Sequence, residues 1–159
     1  LGAMMQDGFC CPLLLQVAEE LRLALPGVFK AHTLREWWAF KYDSRLDGIP
    51  LHADHAAVNV NFWITPDDAL LEPTAGGLTV WDREAPLDWD FARYNQDETA
   101  MREFLGREQA TAVYVPYRQN RVVMFNSDLF HETGAIRFRD GYENRRINIT
   151  FLYGDRQHG

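Results

Sequence analysis

Apolar and polar residues alternate strictly over residues 56–65, AAVNVNFWIT. On a strand, Val58, Val60, Phe62 and Ile64 fall on one face and Asn59, Asn61, Trp63 and Thr65 on the other. The stretch RINITFLY repeats the pattern, setting Ile147, Ile149 and Phe151 against Arg146, Asn148 and Thr150. Two strands of this kind predict greasy faces packed beneath helices and polar, aromatic-flanked faces lining a cavity. Residues 12–25, PLLLQVAEELRLAL, read as such a helix. Leu14, Val17, Ala18, Leu21 and Leu25 recur at helical spacing, Pro12 suits the first helical position, and Pro26-Gly27 stops the run.

The remaining pattern adds strands. In 35–42, REWWAFKY, the aromatic density favours a strand over the helix that a Thr33–Glu36 capping box would start. Asp47-Gly48-Ile49-Pro50 reads as a turn. Strands are expected at LTVW after Gly76-Gly77, at AVYV (112–115) and at RVVMF (121–125) around a turn at Pro116–Asn120. A further one starts near Phe130 and ends before a turn at Asp140-Gly141. Short strands at turn-rich spacing predict a mainly β domain with flanking helices, a sandwich or jelly roll. Residues 82–111 interrupt them as a polar insertion whose DETAMREFLG piece reads as a helix closed by Gly106. It is either a lid, with Trp81, Trp89, Phe91 and Tyr94 shaping an entrance, or a surface decoration.

At 159 residues the chain suits one domain, and with 47% hydrophobic and 13% aromatic residues it is too apolar to stay disordered. A net charge of −7 without a basic stripe argues against nucleic acid as partner. No apolar run approaches membrane-spanning length, and no signal peptide is read at the start. Cys10 and Cys11, adjacent and alone, offer no disulfide framework, so a reduced, cytoplasmic setting is expected. The opening Leu1-Gly2-Ala3-Met4 reads as a vector remnant or the cut edge of a longer protein. Arg118, Arg121, Arg137, Arg139, Arg145 and Arg146 concentrate near the end, a local excess that favours an anionic ligand.

The candidate chemistry lies in His52-Ala53-Asp54, followed much later by His131. Residues two apart on a strand share a face, so His52 and Asp54 point together and His55 points away. Two imidazoles and one carboxylate can hold one face of an octahedral Fe(II) and leave three positions open. H-x-D alone is a weak signal in a chain with five His. The bland alternatives are a turn residue for His52 and a buried, hydrogen-bonded histidine for His131. His32, His55 and His158 are assigned no role, and Asp128 is read as a turn carboxylate.

Taken in order, Tyr42, His52-Ala53-Asp54, VNVNFWIT, Gly76-Gly77-Leu78-Thr79, Val115-Pro116, RVVMFNSDLFHET and RRINITF resemble the Fe(II)- and 2-oxoglutarate-dependent dioxygenases, especially the prolyl-hydroxylase-like branch. The resemblance covers roughly residues 36–153. It implies a double-stranded β-helix of the cupin-like kind, with Fe(II), 2-oxoglutarate as co-substrate and O2. It makes His52, Asp54 and His131 the metal ligands and catalytic centre. It gives Arg146, in preference to Arg145, the distal carboxylate of 2-oxoglutarate, with Tyr42 as a second contact. Asn59, Asn61 and Trp63 would line the co-substrate pocket, and Asn148 would help hold the keto-acid end. The presence of Asp54 implies hydroxylation or oxidative demethylation of an unidentified small molecule or protein side chain. The family's first strand and helical layer are usually longer than residues 1–42, so the chain is expected to be the catalytic core of a longer protein. The rival readings are a cupin-like metal protein that needs no 2-oxoglutarate and an inactive ligand-binding barrel.

Overall fold

The computed structural model describes residues 1–44 and 46–156. In chain order the elements are β1 (Gly2–Met4), α1 (Pro12–Ala24), α2 (Pro26–Phe29), β2 (Leu34–Lys41), β3 (Ile49–His52), β4 (Val58–Trp63) and β5 (Leu78–Glu84). They continue with α3 (Phe91–Asn95), α4 (Glu98–Arg107), β6 (Ala112–Val115), β7 (Arg121–Asn126), β8 (Leu129–Thr133) and β9 (Ile147–Tyr153). The strands form two antiparallel sheets, ordered β1-β2-β9-β4-β7 and β3-β8-β5-β6. This is a jelly roll with one additional edge strand. That edge is β1, in which Gly2–Met4 pair with Trp38–Phe40 of β2.

Each sheet separates two environments through the period of its pleat. On the larger sheet, Val58 and Val60 of β4 and Phe151 and Tyr153 of β9 turn outward and pack with Leu14 and Ala18 of α1, Phe29 and Trp37. Val17 and Leu21 join this cluster, while Leu25 is 39% exposed and does not. Pro26 does more than end α1, since it begins the short helix α2. The expected apolar face of 56–65 also stops early, because β4 ends at Trp63 and Ile64 is exposed. Fully burying each large apolar side chain contributes on the order of 2 kcal/mol, so this helix-covered face is a main source of stability.

On the smaller sheet the outward residues Leu51 and Phe130 pack with Tyr94, Met101 and Leu105. Those partners come from the insertion, which therefore backs β3 and β8 from outside the barrel. The insertion starts within a strand, since β5 runs to Glu84, and it holds two helices. Asp97 caps α4 by accepting from the Ala100 N–H at 3.0 Å. Gly106 lies inside that helix. The left-handed residue after it is Gln109, at φ +51°. Among the described residues, no helix is long and apolar enough to cross a membrane.

The turn expected at Asp47–Pro50 is shorter than four residues, because Ile49 and Pro50 already belong to β3. Gly48 makes the bend at φ +113°, where a Cβ would stand 2.1 Å from the Thr133 carbonyl oxygen of β8. No L side chain fits there without parting the two strands. Gly48→Ala is expected to lower unfolding free energy by more than about 2 kcal/mol in urea titration; unchanged stability would contradict this packing.

Candidate metal centre

The inward faces of β3 and β8 meet at the two histidines. His52 and His131 are directly opposed Cα partners in this antiparallel pair, with ring centroids 4.3 Å apart. Their neighbours Leu51 and Phe130 point the other way, into the insertion. Asp54 lies just beyond the end of β3, where its N–H donates to the Ser127 carbonyl at 3.1 Å. The Ala53 N–H donates to the Tyr94 carbonyl at 2.9 Å, and Asn95 Nδ2 donates to the Ala53 carbonyl at 2.9 Å. The insertion thus clamps the backbone between His52 and Asp54.

One donor atom from each of His52, Asp54 and His131 can be chosen so that all lie within 4.8 Å of one another. His131 Nε2 is 3.5 Å from Asp54 Oδ2, and His52 Nε2 is 3.8 Å from Asp54 Oδ1. Ligands at right angles and ~2.1 Å from an ion stand about 3 Å apart, and both histidine–aspartate separations are within about 1 Å of that. Nδ1 of His52 lies 2.7 Å from the Pro50 carbonyl and Nδ1 of His131 lies 2.9 Å from that of Leu129. A carbonyl only accepts, so each Nδ1 carries a proton and Nε2 is the nitrogen left on each ring to bind a metal.

Burial, together with the neighbouring His131, holds the His52 pKa below its usual 6.5, against the pull of Asp54 and the Pro50 carbonyl. Burial pushes the Asp54 carboxyl up, but the hydrogen bond and charge of His131 and the charge of His52 outweigh it, leaving its pKa below 3.8. Neutral imidazole beside ionised carboxylate is the form that binds a cation.

These side chains border a cavity of about 250 Å³ between the sheets. Of the residues expected there, Tyr42, Asn59, Asn61 and Asn148 line it with the three donors. Trp63 is 1% exposed and stacks on Tyr117 instead, with ring centroids 5.4 Å apart. Sequence reading did not single out Trp38, Phe40, Ile49, Leu78 and Thr133, which also face the cavity. Phe40 and Trp38 of β2 lie two and four residues before Tyr42, and that period was the available signal. No residue of 82–111 borders this cavity.

Arg146 is 1% exposed, and its guanidinium lies 5.4 Å from the Tyr42 ring centroid and 5.7 Å from that of Trp63. Its Nε donates to the Gly76 carbonyl at 2.9 Å, and its Nη1 has no partner among the described residues. Burial lowers its pKa to about 10, which leaves it charged at neutral pH. The same burial raises the Tyr42 phenol to about 12, so that ring stays neutral. Arg145 turns outward toward Asp43, at 3.5 Å. His55 also points outward and meets Glu36 at 2.7 Å. Asp128 pairs with Arg156 away from the donor cluster, and His158 lies outside the described residues.

No protein-family model and no curated protein matches the sequence. Solved structures do match the fold. EvdMO1 is 19% identical over 91% of this chain, with TM-score 0.60. HygX from Streptomyces hygroscopicus, in a crystal structure with nickel and 2-oxoglutarate bound, is 17% identical over 91%, with TM-score 0.54. SnoN, a non-haem alpha-ketoglutarate-dependent epimerase from nogalamycin biosynthesis, is 14% identical over 97%, with TM-score 0.60. The fold is that of the cupin-like 2-oxoglutarate oxygenases. The chain spans 32% of the length of EvdMO1, 60% of SnoN and 68% of HygX.

In the metal-free protein, the depressed His52 pKa sets a sign for pH dependence. Between its folded pKa and 6.5 the unfolded chain takes up a proton that the native chain does not. Stability therefore falls as pH falls through that window. An imidazole NMR titration is expected to place the His52 midpoint below 6.5; a midpoint at or above it would contradict the burial argument.

Proposed function

We propose that the protein is a non-haem Fe(II) enzyme that couples oxidative decarboxylation of 2-oxoglutarate to hydroxylation, or oxidative demethylation, of a small organic substrate. The observation that carries this reading is a pair of features in one interior. A set of two imidazoles and a carboxylate lies on one sheet, and a buried guanidinium with an unpartnered N–H lies at the end of the other. A buried cation is expensive unless an anion meets it. No carboxylate pairs with Arg146 among the described residues, so its counter-charge is assigned to a ligand.

The residues fit both groups. His52 Nε2, His131 Nε2 and Asp54 would hold Fe(II), the metal expected for a two-histidine, one-carboxylate face. When bound, iron with its keto-acid co-substrate supplies the oxidising power to break a C–H bond, chemistry that no side chain has. Arg146 would bind the distal carboxylate, and its guanidinium can do so with two parallel N–H donors. Tyr42, neutral and lining the same cavity, would donate its phenol proton to that carboxylate. Asn148 would border the keto-acid end, with Asn61 and Asn59 between it and Asp54. Trp63 would act from behind, as an aromatic wall beside the guanidinium.

The protein's own contribution is positioning and exclusion of water. Trp38, Phe40, Ile49 and Leu78 give the cavity an apolar lining around its few polar groups. An apolar lining strengthens the carboxylate–guanidinium attraction and limits the water at the reacting centre. The bound nickel and 2-oxoglutarate of HygX and the alpha-ketoglutarate dependence of SnoN support the reading for this fold. Because SnoN is an epimerase, hydroxylation here is the specific claim that experiment must decide. The insertion at 82–111 is proposed as a buttress and outer wall of the metal site, since it grips the backbone beside His52 and Asp54.

Anaerobic addition of 2-oxoglutarate to the Fe(II)-loaded protein is expected to produce a weak visible charge-transfer band, and oxygen with substrate to release succinate. A protein that binds iron but shows neither signal would be the cupin-like alternative. Asp54→Ala should abolish substrate-coupled succinate release. Arg146→Ala should weaken 2-oxoglutarate binding about 100-fold, the loss expected for a buried charge-assisted pair, whereas Arg145→Ala should leave it within about twofold. Equal effects of the two substitutions in a binding titration would remove Arg146 from its assigned role.

A further inference from the structure

Five side chains on three segments are joined by hydrogen bonds that all run one way. Asn148 Nδ2 donates to Thr150 Oγ1 at 2.8 Å. Thr150 Oγ1 donates to Asn61 Oδ1 at 3.1 Å. That step crosses between β9 and β4, where Thr150 and Asn61 are Cα partners. Asn61 Nδ2 then donates to Asn59 Oδ1, and Asn59 Nδ2 donates to Asp54 Oδ2 at 2.7 Å. None of the five residues is more than 8% exposed.

The carboxylate dictates this direction. An ionised Asp only accepts, so Asn59 must turn its amide N–H toward it. Its carbonyl then faces Asn61, which must donate in turn, and the same necessity passes through the single Thr150 proton to Asn148. A chain oriented from its anionic end must finish on a spare acceptor. Asn148 Oδ1 is that atom, buried and without a partner among the described residues. Reversing any one amide would set two acceptors against each other in a dry interior, at a cost of about 1–3 kcal/mol.

We propose that Asn59, Asn61, Thr150 and Asn148 form a directional relay through which the larger sheet positions Asp54 on the smaller sheet's metal site. Asn59 ties down Oδ2 and leaves Oδ1 with no hydrogen-bond donor among the described residues. The carboxylate plane is thereby held between the two Nε2 atoms. Thr150 is a positioning residue. Its hydrogen bonds go to Asn148 and Asn61 and not to an imidazole or Asp54, yet its hydroxyl is the link between β9 and the carboxylate. The inference rests on the metal reading above.

The test uses Co(II) alone, under anaerobic conditions, titrated into the full chain and followed by its visible d–d bands. Wild-type protein is expected to bind Co(II). Thr150→Val, which keeps the shape and removes the hydroxyl, should weaken binding about tenfold and change the band pattern. Losses of 10–100-fold are usual when a ligand's outer hydrogen bond is removed. Thr150→Ser should restore both affinity and spectrum. Asn59→Leu should do at least as much damage as Thr150→Val, because it removes the last donor. Near-UV circular dichroism checks that each variant is folded; should Thr150→Val not fold, Thr150→Ala takes its place. Folded Thr150→Val and Asn59→Leu proteins with wild-type affinity and bands would overturn the relay and leave the metal assignment standing. A wild-type protein that binds no Co(II) would overturn both.

Discussion

A carboxylate taken out of water keeps its charge only where surrounding groups replace the lost hydration. Asp54 does so between two imidazoles and one amide, although burial alone would push its pKa upward. Much of the site's construction serves that condition. Backbone carbonyls fix both His rings through Nδ1, with both Nε2 atoms turned toward the acid. Asn59 donates to the carboxylate from the facing sheet. The insertion grips the chain at Ala53, between the first imidazole and the acid.

A second charge in the same interior answers to a different constraint. Arg146 is buried, yet its guanidinium meets aromatic rings and one carbonyl rather than an acid. Asp54 and Arg146 do not neutralise each other, so the interior holds one negative and one positive end. Such an arrangement is costly for folding and is supported by the packing on the outer faces of the two sheets. The guanidinium is buried behind the Tyr42 side of the cavity that Asp54 borders.

The polar residues between the two ends are not interchangeable lining. Asn59, Asn61, Thr150 and Asn148 are joined to one another by three hydrogen bonds, and Asn59 carries the chain on to Asp54. A buried amide ladder of this kind is rigid because each member has one orientation that satisfies its neighbours. The apolar contribution to the cavity comes mainly from β2, through Trp38 and Phe40, with Ile49 and Leu78 from the smaller sheet.

Periodicity alone determined the faces of β4 and β9, the helix over them, and hence which of Arg145 and Arg146 turns inward. These are local consequences of a two-residue pleat and a helical repeat, and they hold along most of each element, failing at its ends, where Leu25 and Ile64 are exposed. The donor residues were legible as types and spacing. Three things were decided only in the tertiary structure. The opposition of His52 and His131 depends on the β3–β8 register, between residues far apart in sequence. The packing of the insertion depends on Leu51 and Phe130, which carry no mark of their partner. The direction of the amide chain depends on an ionised carboxylate on another sheet. Strand pairing and charge compensation act between segments, whereas sequence pattern records only which face each residue takes within its own.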